Sequence, residues 1–343
     1  MLNIDKTGEL LYTAPRMSHS LPKKKRIESL YVLKALSSLL VVIVHAELWG
    51  KSALTPLLGV ATPCFLAITG FLLYSADGER EQAKAAKWAR KCFILSLVCN
   101  ALYLSFYLLD GTPLSRFGLG NLVWNLFTGH IVSTHLWYLT AVWQGLLIMW
   151  VLRRYAPRLI AFTPLLYVIA YILRAYGKLL FPELSSDTLF ILRANAVVTA
   201  LPFLATGYLV HQYHEQVLTR VRILPCLAGL LLLIYGEYAL RLFINTGGSI
   251  FFICTWPLVV TLMLTCCRYR DFTLPVLGCI GREHSANVYY FHVLVLIYIN
   301  RLLPGQTAWQ ALLVYTATLP VSIIFNQVQK LMIDRFALQD KRA

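Results

Sequence analysis

Long apolar runs alternate with short polar connections along almost the whole chain. Windows of about twenty apolar residues, the length that crosses a hydrocarbon core as a helix, fall near 27–49, 57–75, 92–109, 135–152, 159–176, 194–210, 223–241, 249–267, 284–302 and 309–331. The pattern predicts an all-α, polytopic integral membrane protein with about ten transmembrane helices. It divides the chain into a basic segment 1–26, a ten-span membrane domain 27–331 and a short basic tail 332–343. The longest connection, about Asp110 to Thr134, contains Gly111, Pro113, Gly118, Gly120 and Gly129 and is expected to lie over one face as a re-entrant or lid element. One internal echo is present, Pro63-Cys-Phe-Leu-Ala-Ile-Thr-Gly70 against Pro202-Phe-Leu-Ala-Thr-Gly207. It is short and offset by one residue, far less than the repeats from which transporters are built.

Composition supports the membrane class. The chain is 58% hydrophobic and only 14% charged, which leaves no stretch for an appended soluble domain. Most of the 31 lysines and arginines fall on alternate connections together with both ends of the chain. The positive-inside rule then places both termini in the cytoplasm. The net charge of +15 is absorbed by that topology, and nucleic-acid binding, which needs a basic face on a folded soluble domain, is excluded. The eight cysteines form no CxxC pair and sit mostly in apolar runs, so they read as packing residues, with no metal and no disulfide framework. The polar start is too long for a cleavable signal peptide.

Against this background the first span is unusual. Lys34 and His45 lie eleven residues apart within it, which at ~100° per residue puts them on one helix face with the histidine ~16 Å further along. Ser38 falls between them on that face. Ionisable groups in a bilayer face a bundle interior or a wet cavity and usually have work to do there. A neutral histidine near the outer boundary suits a general base acting on a hydroxyl; a bond to a neighbouring helix is the alternative. Lys34 serves as a fixed cation toward an anionic or thioester-bearing donor, or else snorkels to the interface. Thr69 comes to a similar depth on the second span, and Gly70 after it permits close helix approach. His135 and Trp137 open the fourth span at the depth of His45, while His292 lies deep in the ninth. Arg174, Arg193, Asn195, Glu237 and Arg241 mark the outer halves of other spans, with Glu237 and Arg241 spaced to pair. They read as an acceptor pocket whose arginines grip a pyrophosphate, or as interfacial anchors. Tyr171, Tyr176, Trp124 and Trp137 suit either sugar stacking or an aromatic belt. The basic loop Arg80, Lys84, Lys87, Arg90, Lys91 reads as an anchor at the cytoplasmic boundary, with attraction of a donor's phosphates as the alternative.

The run Lys34-Ala-Leu-Ser-Ser-Leu-Leu-Val-Val-Ile-Val-His45 resembles the first-span signature of the acyltransferase family 3 membrane proteins, in which an arginine is followed ten residues later by an essential histidine. Pro63 to Tyr74 is similar to the family's second-span motif and His135-Leu-Trp-Tyr-Leu139 to its His-Leu-Trp-Phe-Leu box. Gly281-Arg-Glu-His-Ser285 through Val288-Tyr-Tyr-Phe-His292 resembles its late Ser…Ile-Tyr-Leu-Ile-His motif, and Pro202 to Tyr208 a further Phe…Gly-Tyr segment. The likeness covers about 27–330. It departs at two places: the family arginine is Lys34, which lacks the planar bidentate fork, and the acidic residue three positions earlier is Tyr31.

The resemblance implies an O-acyltransferase of the cell's inner or plasma membrane. It would move an acyl group, usually acetyl, from cytoplasmic acyl-coenzyme A to a hydroxyl of an envelope polysaccharide or lipid-linked sugar. His45 and Lys34 would be the catalytic pair. Thr69, His135, Trp137 and His292 of its motifs, with Ser38, Arg174, Arg193, Glu237 and Arg241 from the reading of the residues above, would bind substrate, with acetyl-coenzyme A a substrate and no bound cofactor. No nucleophile stands out, so direct transfer is expected. The alternative is a transporter of a glycan or small molecule with no acyl transfer. The oligomeric state leaves no mark in the sequence.

Overall fold

The computed structural model describes residues 26–244, 250–305 and 308–340; apart from Arg26, the expected basic segment 1–26 lies outside the described residues. Helix α1 (Glu28–His45) stands in the middle of the bundle, packed by α3 (Ala61–Leu73), α12 (Thr255–Arg268), α14 (Ser285–Leu302) and α15 (Gln310–Asp340). Its first turn holds Glu28, favoured at the positive end of the helix dipole and bonded to Arg282 at 2.9 Å. The helix stops at His45, four residues before its predicted end. Lys51 folds back to donate to the Ala46 carbonyl at 3.0 Å, and Gly50, in the left-handed region at φ 73°, turns the chain into α2 (Lys51–Leu58). His45 is thereby fixed at a helix terminus.

The two echoing segments meet. Helix α3 packs against α10 (Leu201–Leu218) through Gly70 and Gly207. A Cβ on Gly70 would overlap the Leu204 carbonyl, and one on Gly207 the Ala67 carbonyl. Small residues let backbones touch in this way inside a membrane. The long α4 (Gly78–Leu109), whose N-terminal amides of Glu79 and Arg80 are capped by Asp77, runs along α6 (Trp137–Tyr155). The buried Glu81 joins them by an ion pair to Arg153 at 3.0 Å.

Between α4 and α6 the expected lid contains a 3-10 turn at 114–116 and α5 (Leu119–Thr128). Asn125 holds it in place, donating to Asn100 at 2.7 Å and accepting the Ile131 amide at 2.8 Å. After α6 the fifth apolar window breaks into 3-10 turns at 157–161 and 163–166 before α7 (Tyr167–Ala175) and α8 (Gly177–Leu180). Pro157 and Pro164 sit at the starts of those turns, where their missing amides interrupt a continuous helix. Helix α9 (Ser186–Arg193) then leads through a π turn capped by Asn195 into α10, with a 45° bend. The remaining helices are α11 (Ile223–Phe243) and α13 (Pro275–Cys279), the latter continuing through a second π turn into α14.

All ten apolar windows meet helix, but they are not equivalent. Among the described residues six helices are long and apolar enough to cross a membrane, or seven if the bent pair is one span. The other windows fall short for separate reasons. The fifth is broken, the eighth (α12) has 14 residues, and α14 carries Asn287, His292, Asn300 and Arg301. Helix α15 continues to Asp340, so residues 332–340 of the expected tail are helical. Among the described residues there is no strand.

Candidate active site

Three imidazoles from three helices converge where α1 ends. The ring of His45 lies 5.1 Å from His292 of α14 and 6.3 Å from His135, centroid to centroid, and the last two are 5.3 Å apart. Their hydrogen bonds separate their roles. His292 is fully buried, and its Nδ1 faces only carbonyl oxygens, Tyr289 at 2.8 Å and Val288 at 3.1 Å. Carbonyls only accept, so Nδ1 carries the proton and Nε2 a bare lone pair. That Nε2 is buried without a partner among the described residues. His135 is set the other way round. Its Nε2 donates toward the Tyr290 carbonyl at 3.4 Å, while Nδ1 accepts from the Ser133 hydroxyl at 3.0 Å. His45 makes no hydrogen bond to another described residue, and it is exposed. It opens on a cavity of 310 Å³ walled by His130, Ser133, His135, Phe117, Tyr107 and Val293. Two locked imidazoles therefore flank one that is free to meet a ligand.

A second cavity of 280 Å³ lies at the other end of α1, around Lys34 and Thr69. Lys91 and Trp88 line it from α4, and Tyr138, Tyr289 and Tyr290 close its top. The Thr69 hydroxyl donates to the Phe65 carbonyl one turn back at 2.8 Å. Lys34 and His45, one in each cavity, are ~16 Å apart along α1, and Tyr289 reaches from one cavity toward the histidines of the other. It lines the Lys34 cavity, its ring stands 6.2 Å from His135 and 5.9 Å from His292, and its hydroxyl donates to the His135 carbonyl at 2.8 Å. A larger groove of 480 Å³, holding Arg26, Tyr31, Gln212, His214 and Arg270, shares Ile68 and Leu72 with the Lys34 cavity.

The other expected residues divide between site and scaffold. Ser38, expected on the Lys34–His45 face, lines neither cavity; it donates to the Ala35 carbonyl at 2.7 Å and bonds the Tyr315 hydroxyl of α15 at 3.0 Å. Four residues is ~40° past a full turn, enough to bring it under α15. Glu237 and Arg241 do pair, and Glu237 also takes the Tyr171 hydroxyl at 3.0 Å and the Ile253 amide at 2.8 Å. That closed cluster ties α11 to α7 and to the strand of chain before α12, away from both cavities. Trp137, first residue of α6, packs on Phe190 at 6.4 Å and under the Arg174 guanidinium at 5.9 Å. Arg174 donates to the Arg193 carbonyl at 3.0 Å and stacks on Phe251 at 3.9 Å.

Sequence reasoning placed Lys91 in a basic loop read as an anchor in preference to a phosphate-attracting surface, and it missed His130 and Ser133 of the lid, which no periodicity marks. Tyr289 lay inside the Val288–His292 motif, so its signal was present. Burial holds the His130 imidazole below its ordinary range, with Asp187 pulling the other way. Away from both cavities Cys279, Glu283 and His284 hold ligand atoms within 4.8 Å of one another near the surface, where His284 Nδ1 is already 2.9 Å from the Ser322 hydroxyl.

Taken together, the described residues form an all-helical bundle of apolar, membrane-spanning type, with a histidine cluster at one cavity and a lysine in another along the same helix. The chain matches the acyltransferase domain family over residues 27–327 and belongs to it. Comparison with curated proteins and with solved structures returns no match.

Proposed function

We propose that this acyltransferase carries an acyl group, in the simplest case acetyl, from acyl-coenzyme A to a hydroxyl of an envelope polysaccharide or lipid-linked sugar. The donor occupies the Lys34 side, which faces the cytoplasm of an inner or plasma membrane, with both termini on that side and ten crossings in all. The acceptor occupies the His45 cavity. The observation that carries this reading is the one unlocked histidine of the cluster, His45, exposed to one cavity on the helix that carries Lys34 into the other.

On this reading the phosphates and nucleotide of the donor rest in the groove of Arg26 and Arg270, and its pantetheine arm passes Ile68 and Leu72 toward Lys34 and Thr69. Lys34 and Lys91 supply positive charge to that side as ammonium point charges, without the fork of a guanidinium. The thioester reaches His45 past Tyr289. His45 takes the proton of the acceptor hydroxyl as its oxygen attacks the thioester carbon. The new C–O bond forms, the C–S bond breaks, and the departing thiolate takes the proton from the imidazolium. The bare Nε2 of His292 accepts the other N–H of His45 through a bridging water, leaving the catalytic nitrogen unprotonated and aimed. No acyl-enzyme is required.

A transporter built from the same helices is the competing reading; family membership favours the enzyme. The test is transfer of label from radiolabelled acetyl-coenzyme A into the envelope glycan fraction of membranes. His45→Ala is expected to lose about 10²–10⁴-fold in rate at matched expression. Equal incorporation by wild type and His45→Ala would remove the histidine from the chemistry.

A further inference from the structure

Buried polar atoms without partners are rare in folded proteins, and each calls for an explanation. Among the described residues four buried side-chain nitrogens lack one: His130 Nδ1, Arg174 Nε, Arg193 Nε and His292 Nε2. They are not scattered. His130 and the His292 cluster border the acceptor cavity. His130 packs on Phe190 at 5.4 Å, Phe190 on Trp137 at 6.4 Å, and Trp137 lies under Arg174 at 5.9 Å. Arg193 follows Phe190 by three residues on α9, on the same helix face, and its carbonyl takes a hydrogen bond from Arg174. Three of the four orphans, on His130, Arg174 and Arg193, thus follow one another through Phe190 and Trp137, and His292 stands behind His45 and His135.

The two arginines are the telling pair. Arg174 uses one terminal nitrogen on the Arg193 carbonyl and on the Thr199 hydroxyl at 3.4 Å. The Arg193 side chain makes no hydrogen bond or ion pair with any described residue, and no carboxylate of a described residue pairs with either guanidinium. The nearby Arg241 has Glu237; this pair has nothing. Two adjacent half-buried cations without a counter-charge carry a desolvation cost that a bound anion would offset. A single carboxylate satisfies one fork, whereas a phosphate or diphosphate presents oxygens to two.

Resting on the reading of the His45 cavity as the acceptor site, we infer that Arg174 and Arg193 form an oxyanion subsite for a phosphate-class group on the acceptor. Trp137 and Phe190 form an aromatic bridge between that subsite and the reacting hydroxyl. The acceptor is then a phosphate-linked sugar, held by its charge while its hydroxyl meets His45.

The probe is inorganic pyrophosphate, titrated into protein in phosphatidylcholine nanodiscs at constant ionic strength and followed by tryptophan fluorescence and the thermal midpoint. Saturable binding to wild type is expected, roughly tenfold weaker in Arg193→Gln. Arg174→Lys, which keeps a donor for the Arg193 carbonyl, should be weakened similarly without loss of fold. Absence of saturable binding in wild type would overturn the inference, as would equal affinity in both variants. Discs containing phosphatidylglycerol test the other source of phosphate; if they abolish the response, the subsite belongs to a lipid headgroup and the inference falls. Acetyl transfer assayed separately keeps the two readings apart. Transfer without pyrophosphate binding sinks the subsite alone, and binding without transfer sinks the enzymatic reading.

Discussion

Three histidines share one site, and their protons separate base from support. His292 donates from Nδ1 to two backbone carbonyls and offers an empty Nε2 toward His45. A residue that positions the base acts on turnover and leaves substrate binding alone. His292→Gln is therefore expected to lower kcat by up to about 10²-fold while KM for acyl-coenzyme A stays within error; steady-state kinetics at several donor concentrations measures the split. A matched rise in KM would make His292 a binding residue instead. Lys34 predicts the opposite pattern, because it lines the proposed donor cavity and lies ~16 Å along α1 from His45, the proposed base. Lys34→Met should raise KM for the donor more than it lowers kcat. The spacing of Lys34 and His45 was readable in the sequence because one helix carries both. Ser38 was misassigned on the same logic, since which neighbour covers a helix face depends on α15, nearly 280 residues away in the chain. The lid residues His130 and Ser133 had no periodic signal at all.

At the level of elements, two glycines decide how α3 meets α10. A methyl group on Gly70 would overlap the Leu204 carbonyl, and backbone has no rotamer with which to give way. Gly70→Ala should cost about 1–3 kcal/mol, read as a lower thermal midpoint of the purified protein, and Gly207→Ala the same against Ala67. Unchanged midpoints for both would mean the helices are less closely packed than described. The short echo between these segments turned out to be a contact, two like surfaces facing each other. Element ends were less legible than elements. Apolarity continues to Trp49, but α1 ends at His45 because Lys51 and Gly50 fold the chain back, an event no hydropathy window registers. The fifth window reads as one span and is interrupted at Pro157 and Pro164. The prolines were visible, but their effect was hidden by apolarity on either side.

For the whole molecule, the account makes α1 the shared wall of two cavities of opposite purpose. On the proposed topology the Lys34 end faces the cytoplasm, and Tyr289, which lines the Lys34 cavity, has its ring near both His135 and His292. Fold class and the family likeness were legible because they rest on composition and on motifs spread over most of the chain. The convergence of His45, His135 and His292 was not, because three helices distant in sequence build it. Sidedness tests the central claim most directly. Membrane vesicles of opposite orientation, both retaining native acceptor, would receive labelled acetyl-coenzyme A from outside. The account predicts incorporation in inverted vesicles that is lost in His45→Ala, and little in right-side-out vesicles. Incorporation in right-side-out vesicles alone, or undiminished labelling in His45→Ala, would contradict it.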